Sequence, residues 1–297
     1  MGRTPAEFDG YVAIDWSGAK GPRLPGIVVA SCPAGDAPPA LVPPPDGQAN
    51  WSRGEIVRWL REVVAAERAL VGFDFSFSGP YLDAGAYFPD TPLAAKTAPE
   101  LWALVDGLCR EDPDFYAGSL AHHPELEALF LRGASKGSRH ARRFRVTENR
   151  CRDQGLGAAE SIFHLVGASQ VGLASFSGMR VLNCLFCQSE RSVFSIWPFD
   201  RDKTDRSVFI EIYTRIFLSM ALATRRKVRS FSDLNAALAQ FDSRPLSGEG
   251  FILNDHATDA LISAAGMRAL ARRPEFWNPA GLSDKVRRTE GWTFGVL

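Results

Sequence analysis

The chain is expected to fold as an α/β protein, a mixed sheet flanked by helices, and three stretches carry that expectation. Tyr11-Val-Ala-Ile-Asp-Trp-Ser-Gly18 is an apolar strand ending in Asp15 and a glycine-containing turn. Ala69-Leu-Val-Gly-Phe-Asp-Phe-Ser76 is a second, ending in Asp74. Continuous apolar runs of this kind suit strands buried on both faces. The third stretch, 254–270, is a helix that Asn254 can cap. Its first turns hold Asp255, His256 and Asp259, and the remainder is small and apolar. Residues 255 and 259 are four apart and 256 and 259 three apart, so they are neighbours on the helix. The helix dipole needs one acidic residue at most, so the cluster asks for another reason. An aspartate in an apolar strand is costly without a partner and belongs where the strand meets solvent. Two strand ends and one helix start therefore predict a divalent-metal site.

Bulk properties narrow the class. The 297 residues are 45% hydrophobic and 23% charged, as in ordinary globular proteins. Formal net charge is +0, so no global field points to nucleic acid or membrane. No apolar run approaches the ~20 residues of a membrane span. The first nine residues lack the apolar core of a signal peptide, so a cytoplasmic protein is expected. Five scattered cysteines (32, 109, 151, 184 and 187) read as reduced thiols. Cys184-Leu-Phe-Cys187 has the spacing of half a zinc site, but no second pair or nearby histidine supports it.

The chain is read as one domain, 1–297, with an insertion at about 80–160. Strands are expected at 11–15 and 26–31 and, short and of edge type, within the proline-rich 38–45, as an antiparallel meander. Ser52-Arg-Gly-Glu55 is a capping box opening helix 53–67. That helix makes the Asp74 strand parallel to the first by the right-handed crossover rule. Within the insertion, Thr97-Ala-Pro-Glu100 is a second capping box, for helix 98–110, and Pro124 starts a short helix to 131. The run 132–152 holds nine Lys, Arg or His to one Glu and is expected to be mobile at 133–140. A glycine-interrupted helix at 161–172 is expected to end or bend at Gly178-Met179, before an apolar segment 181–187. Strands at 192–197 and 207–213, the second containing Glu211, precede helices 214–223 and 232–241. Arg225-Arg-Lys-Val-Arg229 reads as a solvated helix end, and 290–297 as a final edge strand.

A three-strand meander, a helix and a central parallel strand form the arrangement of the ribonuclease H-like fold, order 3-2-1-4-5. Asp15 and Asp74 then share one sheet edge, with the last helix docked across them. Ala13-Ile-Asp-Trp-Ser17, Gly72-Phe-Asp-Phe-Ser76 and Asp255-His-Ala-Thr-Asp-Ala260 together resemble the predicted-nuclease family called domain of unknown function 429. Ile210-Glu-Ile-Tyr-Thr214 resembles that family's Glu-containing strand, where proline often stands in place of Thr214. Arg145-Val-Thr-Glu148 and Val166-Gly-Ala-Ser-Gln-Val-Gly172 are similar to its central blocks, so the likeness runs over roughly 11–270. The last helix is also similar to that of RuvC-type Holliday-junction resolvases.

The resemblance implies a two-metal nuclease cutting DNA or RNA, although fold by itself does not fix function. Carboxylates at this density suit Mg²⁺ or Mn²⁺, and two ions would clamp an in-line phosphodiester displacement. Asp15 is expected to bridge, with Asp74 on one ion and Asp259 on the other. Asp255 or His256 would complete the shell, or His256 would handle protons. Glu211 is an outer-ligand candidate, with pairing to a buried arginine as its structural alternative; Asp255 has the alternative of a helix-end residue. Substrate contacts are expected from Ser17 and Lys20 in the first turn and from Arg142, Arg143, Arg145 and Glu148, with Phe144 available for stacking. Ser161 and Gln170 are weaker candidates, and a solvated loop is the alternative for the whole basic run. Likeness to the resolvases also raises a homodimer. Two rivals stand beside the nuclease. One is an actin-like or sugar-kinase-like phosphotransferase, since Asp15-Trp-Ser-Gly-Ala-Lys20 loosely resembles a phosphate-binding turn. The other is a non-catalytic module binding nucleic acid or protein.

Overall fold

A computed structural model describes residues 8–167, 170–187, 194–200, 206–222, 227–247 and 253–297, with the side chain of Cys187 excepted. The lead-in 1–7, residues 168–169 of a family-like block, 192–193, 223 and 225–226 lie outside the described residues, as does half of the Cys184/Cys187 pair.

The meander comes first, as β1 (Gly10–Asp15), β2 (Val28–Pro33) and β3 (Ala40–Val42). Helix α1 (Arg53–Ala66) follows, opened by the expected capping box: Ser52 Oγ accepts from the Glu55 amide and the Glu55 carboxylate from the Ser52 amide. It leads to β4 (Ala69–Phe73). Helix α2 (Ala98–Leu108) starts at Thr97, which accepts from the Glu100 amide. The Glu100 carboxylate reaches back to the Lys96 amide instead of closing the box. The short helix expected from Pro124 is a single 3-10 turn, Glu127–Leu129. The stretch 133–140 contains half of a hairpin, β5 (Leu131–Arg132) with β6 (Ser135–Lys136). Helix α3 (Val146–Asp153) was hidden by the surrounding arginines.

The expected helix at 161–172 is not formed. His164–Val166 is β7, paired in parallel with β5, and Gly167 at φ +132° cannot continue a helix. The helix here is α4 (Gly172–Cys187), which runs straight through Gly178. That glycine serves packing: a Cβ there would lie 2.4 Å from the Phe75 ring. Trp16, Phe73 and Phe77 crowd Phe75 with ring centroids 5.2–5.3 Å away. Gly178→Ala gains helix propensity, yet is expected to destabilise the protein by about 1–2 kcal/mol through overpacking. A urea midpoint at or above wild type would show that the ring does move aside.

The remainder is β8 (Phe194–Ile196), β9 (Ser207–Glu211), α5 (Thr214–Ala221), α6 (Phe231–Ala239), α7 (Asp255–Ala271), α8 (Pro274–Trp277) and α9 (Asp284–Thr289). The main sheet has six strands in the order β3-β2-β1-β4-β9-β8. β1, β4, β9 and β8 are parallel, and β2 pairs antiparallel with both β1 and β3. The first four positions match the expected order. The fifth is taken by Ser207–Glu211, and the earlier segment 194–196 adds an outer strand. Residues 290–297 make only a bridge, Thr293 to Glu211, with Trp292, Phe294 and Val296 buried.

Strand alternation sends Val12, Ile14, Val71 and Phe73 to one face, where α1, α2 and α4 cover them, and the 80–160 segment adds Leu101, Trp102 and Phe130 to that core. Tyr11, Ala13, Leu70 and Ile210 face the other way, against α5, α6 and α7. Small residues on α7 (Ala260, Ala264, Ala265) are fully buried and let it lie close on the sheet. No helix among the described residues is long and apolar enough to cross a membrane.

Candidate functional site

Parallel pairing fixes the geometry of the site. Ile14 pairs with Phe73 and Phe73 with Glu211, and the Asp74 amide donates to the Ile14 carbonyl at 2.9 Å. Asp15, Asp74 and Glu211 therefore emerge together at the carboxyl ends of the strands, the usual ligand side of such a sheet. The N-terminus of α7, capped by Asn254 accepting from the Ala257 amide, is set beside them.

Asp15 is buried, and His256 Nδ1 lies 2.7 Å from its Oδ2. Asp74 accepts from the Thr214 amide (3.3 Å) and hydroxyl (3.2 Å), so the start of α5 orients it. Burial pushes the Asp74 carboxyl well above the usual carboxylate range, and repulsion from Asp15 and Asp259 adds to it. Asp259 is pushed up to about 7 by burial and then by Asp15 and Asp255. Asp15 is also raised by burial, with the His256 hydrogen bond opposing. The same bond, against partial burial of the ring, raises His256, whose side chain is 52% exposed. Three aspartates thus feel one another, and the histidine partly offsets the surplus charge.

Among the described residues no three His, Cys, Asp or Glu side chains converge closely enough to hold a metal ion as they stand. Asp255 is ion-paired to Lys227 and to Arg229 (2.8 Å), which hold its carboxyl below the usual range. Arg229, expected as part of a solvated helix end, is 65% exposed and also makes this ion pair.

Glu211 takes its structural alternative. It is buried, receives Arg145 through both oxygens (2.6 and 2.7 Å), and also accepts from the Phe77 amide and the Thr293 hydroxyl. Arg145 donates further to Glu148 and to the Glu290 carbonyl. Burial opposes its charge, but Glu211 and Glu148 outweigh that and hold the guanidinium protonated. With its donors spoken for, Arg145 is a clamp, not the free phosphate contact expected of it, and Glu148 is its partner.

Arg142 and Arg143 are similarly committed. Arg142 pairs with Glu160, and Arg143 pairs with Asp83 while donating to the carbonyls of Pro80, Ala86 and Tyr87. The Phe144 ring, expected to be open for stacking, lies beneath the guanidiniums of Arg142 and Arg152 at 5.6 and 5.3 Å. Lys20 is exposed, and its turn is held by buried Arg53 donating to the Ser17 and Ala19 carbonyls. Ser17 does lie near His256: a Cβ on Gly26 would be 3.3 Å from Ser17 Oγ and 3.6 Å from His256 Cε1.

Beside Asp74 opens a cavity of about 330 Å³. Arg145, Glu148 and Glu211 line its floor with Cys151, and Trp16, Phe75 and Tyr213 supply aromatic surface. Gln170 lies on its rim, whereas Ser161 is buried and accepts from the Phe163 amide. Burial pushes the Cys151 thiol up to about 12, so it is inert. Sequence reasoning missed Thr214 as the orienting partner of Asp74, Thr293 as a partner of Glu211, and the cavity itself. Thr214 had a signal, since it directly follows the strand bearing Glu211; Thr293, in the C-terminal tail, had none. In comparisons with known proteins, no family model matches the chain, and no curated protein or solved structure matches it significantly.

Proposed function

We propose that the protein is a divalent-metal-dependent nuclease of ribonuclease H-like fold that hydrolyses phosphodiester bonds. The observation that carries this reading is the placing of Asp15 and Asp74 at the ends of paired strands with Asp259 of α7 beside them, close enough that Asp15 adds to the proton affinity of both others. Oxygen donors with surplus negative charge fit Mg²⁺ or Mn²⁺. Asp15, Asp74 and Asp259 would hold such ions, with Asp255 kept aside by Lys227 and Arg229. The chemistry supplied when the ions are bound is activation of water and neutralisation of charge on the phosphodiester.

The remaining duties fall to the chain itself. Thr214 fixes the rotamer of Asp74 through its two hydrogen bonds. Asp15 orients the His256 ring through Nδ1 and raises its affinity for a proton. The exposed imidazole, its proton affinity raised by Asp15, then gives a proton to the departing oxygen. The Arg145 clamp ties β9, the loop after β4 and the C-terminal tail into one rigid floor. The phosphotransferase reading calls for a duplicated core; among the described residues there is one six-stranded sheet beside a three-stranded one.

Calorimetry with Mn²⁺ tests the proposal. Wild type is expected to bind at roughly micromolar Kd, and Asp15→Asn/Asp74→Asn to lose binding while keeping its circular dichroism spectrum. Binding that is absent, or unchanged in the variant, would sink the metal-nuclease reading.

A further inference from the structure

We infer that the cavity beside Asp74 is a binding site for one nucleoside unit of the substrate, its base against Trp16, Phe75 and Tyr213 and its phosphate left at the aspartate edge. The inference rests on the nuclease reading for the role of that edge, while the pocket stands on its own geometry.

Size is the first argument. A cavity of about 330 Å³ lies at the low end of small-molecule sites, which run from about 300 to 1,000 Å³. A base with its sugar fits such a space; a duplex, whose major groove alone is about 12 Å wide, does not. Lining chemistry is the second. Trp16 and Phe75 stand with centroids 5.2 Å apart and planes at 54°, forming an apolar corner, and Tyr213 adds a third ring. Aromatic faces of this kind take any base, because every base has a π-face. Gln170 on the lining carries an amide that can both donate to and accept from a base edge. The rings take the base inward, and the phosphate is left toward the edge where the metal reading places cations.

Binding to a long backbone draws its energy from free cations meeting phosphates. Here Arg142, Arg143 and Arg145 are spent on Glu160, Asp83, Glu211 and Glu148. With the chain neutral overall, recognition falls to the pocket and not to an electrostatic track.

The unit has two sources, a free nucleotide or a nucleotide at the end of, or extruded from, a strand. Adenosine and cytidine are the probes, being uncharged and independent of metal. Their binding would be measured by calorimetry in EDTA, for wild type, Ala159→Phe, which fills the cavity from its loop wall, and Tyr213→Leu, which removes one ring. Both variants are expected to weaken nucleoside binding about tenfold or more while keeping Mn²⁺ binding, which reports that the fold survives. A short single strand that displaces adenosine more strongly than adenosine 5′-monophosphate assigns the site to a strand; equal displacement assigns it to the free nucleotide. Both support the pocket. No nucleoside binding, binding unchanged in both variants, or displacement by blunt duplex as effective as by single strand would overturn it. Nucleoside binding that persists where Mn²⁺ fails to bind leaves the pocket standing and removes the metal reading alone.

Discussion

Arg145→Met is expected to lower folding stability by about 3–5 kcal/mol, the usual cost of removing one partner from a buried ion pair. The guanidinium is the only counter-charge given to Glu148 and Glu211 by the hydrogen bonds of this cluster, and all three residues are at most 5% exposed. Its loss strands two carboxylates in low dielectric and frees the Glu290 carbonyl of one donor. The damage should reach well beyond α3. Glu211 also holds the Phe77 amide and Thr293, so the loop after β4 and the C-terminal tail loosen together. Chemical denaturation gives the magnitude, and hydrogen exchange at Phe77 and Thr293 gives the reach. Arg145→Met/Glu211→Gln should recover part of the loss, because the second change removes one of the stranded charges. A single variant within about 1 kcal/mol of wild type would mean that the clamp is dispensable.

The second large effect is a stabilisation. Asp259 is held at about 7 in the folded protein against 3.8 for an unperturbed aspartate. A raised carboxyl binds more protons folded than unfolded. Its contribution is therefore fully present below the unfolded value and is lost as pH rises through about 7. Asp74 shifts in the same direction. His256, also raised, likewise loses its contribution as pH climbs through its folded value. Metal-free wild type should thus weaken steadily from mildly acid to mildly alkaline buffer. Asp259→Asn removes a penalty of at most about 4 kcal/mol at alkaline pH, less whatever solvent screening relieves. Its melting temperature should exceed that of wild type at about pH 8 and converge with it near pH 4. Mn²⁺ should then invert the order, stabilising wild type by mass action and leaving the variant unmoved. A variant less stable than wild type at alkaline pH would show that Asp259 has a structural partner worth more than its repulsion. The trade is familiar where function requires like charges to be held together.

Local signals in the chain were sufficient for the elements that build the sheet edge. Apolar runs closed by Asp15 and Asp74, the Ser52/Glu55 capping box and the Asn254 cap are all set by contacts within a few residues, and all stand in the structure. The first four places of the sheet followed from chain order and crossover handedness. Long-range pairing decided the rest. His164–Val166 reads locally as helix but is captured as a strand by Leu131–Arg132, and Gly178, a breaker by propensity, is a contact surface because Phe75 stands against it. The sequence by itself determined which residue types were available for a metal site and that two of them close neighbouring strands. Only the tertiary structure decided which carboxylates stayed available: Glu211 was taken by Arg145, 66 positions away, and Asp255 by Lys227 and Arg229. The physical reason is that a buried or half-buried charge finds its partner by proximity in space, and no local pattern in the chain encodes which partner that will be.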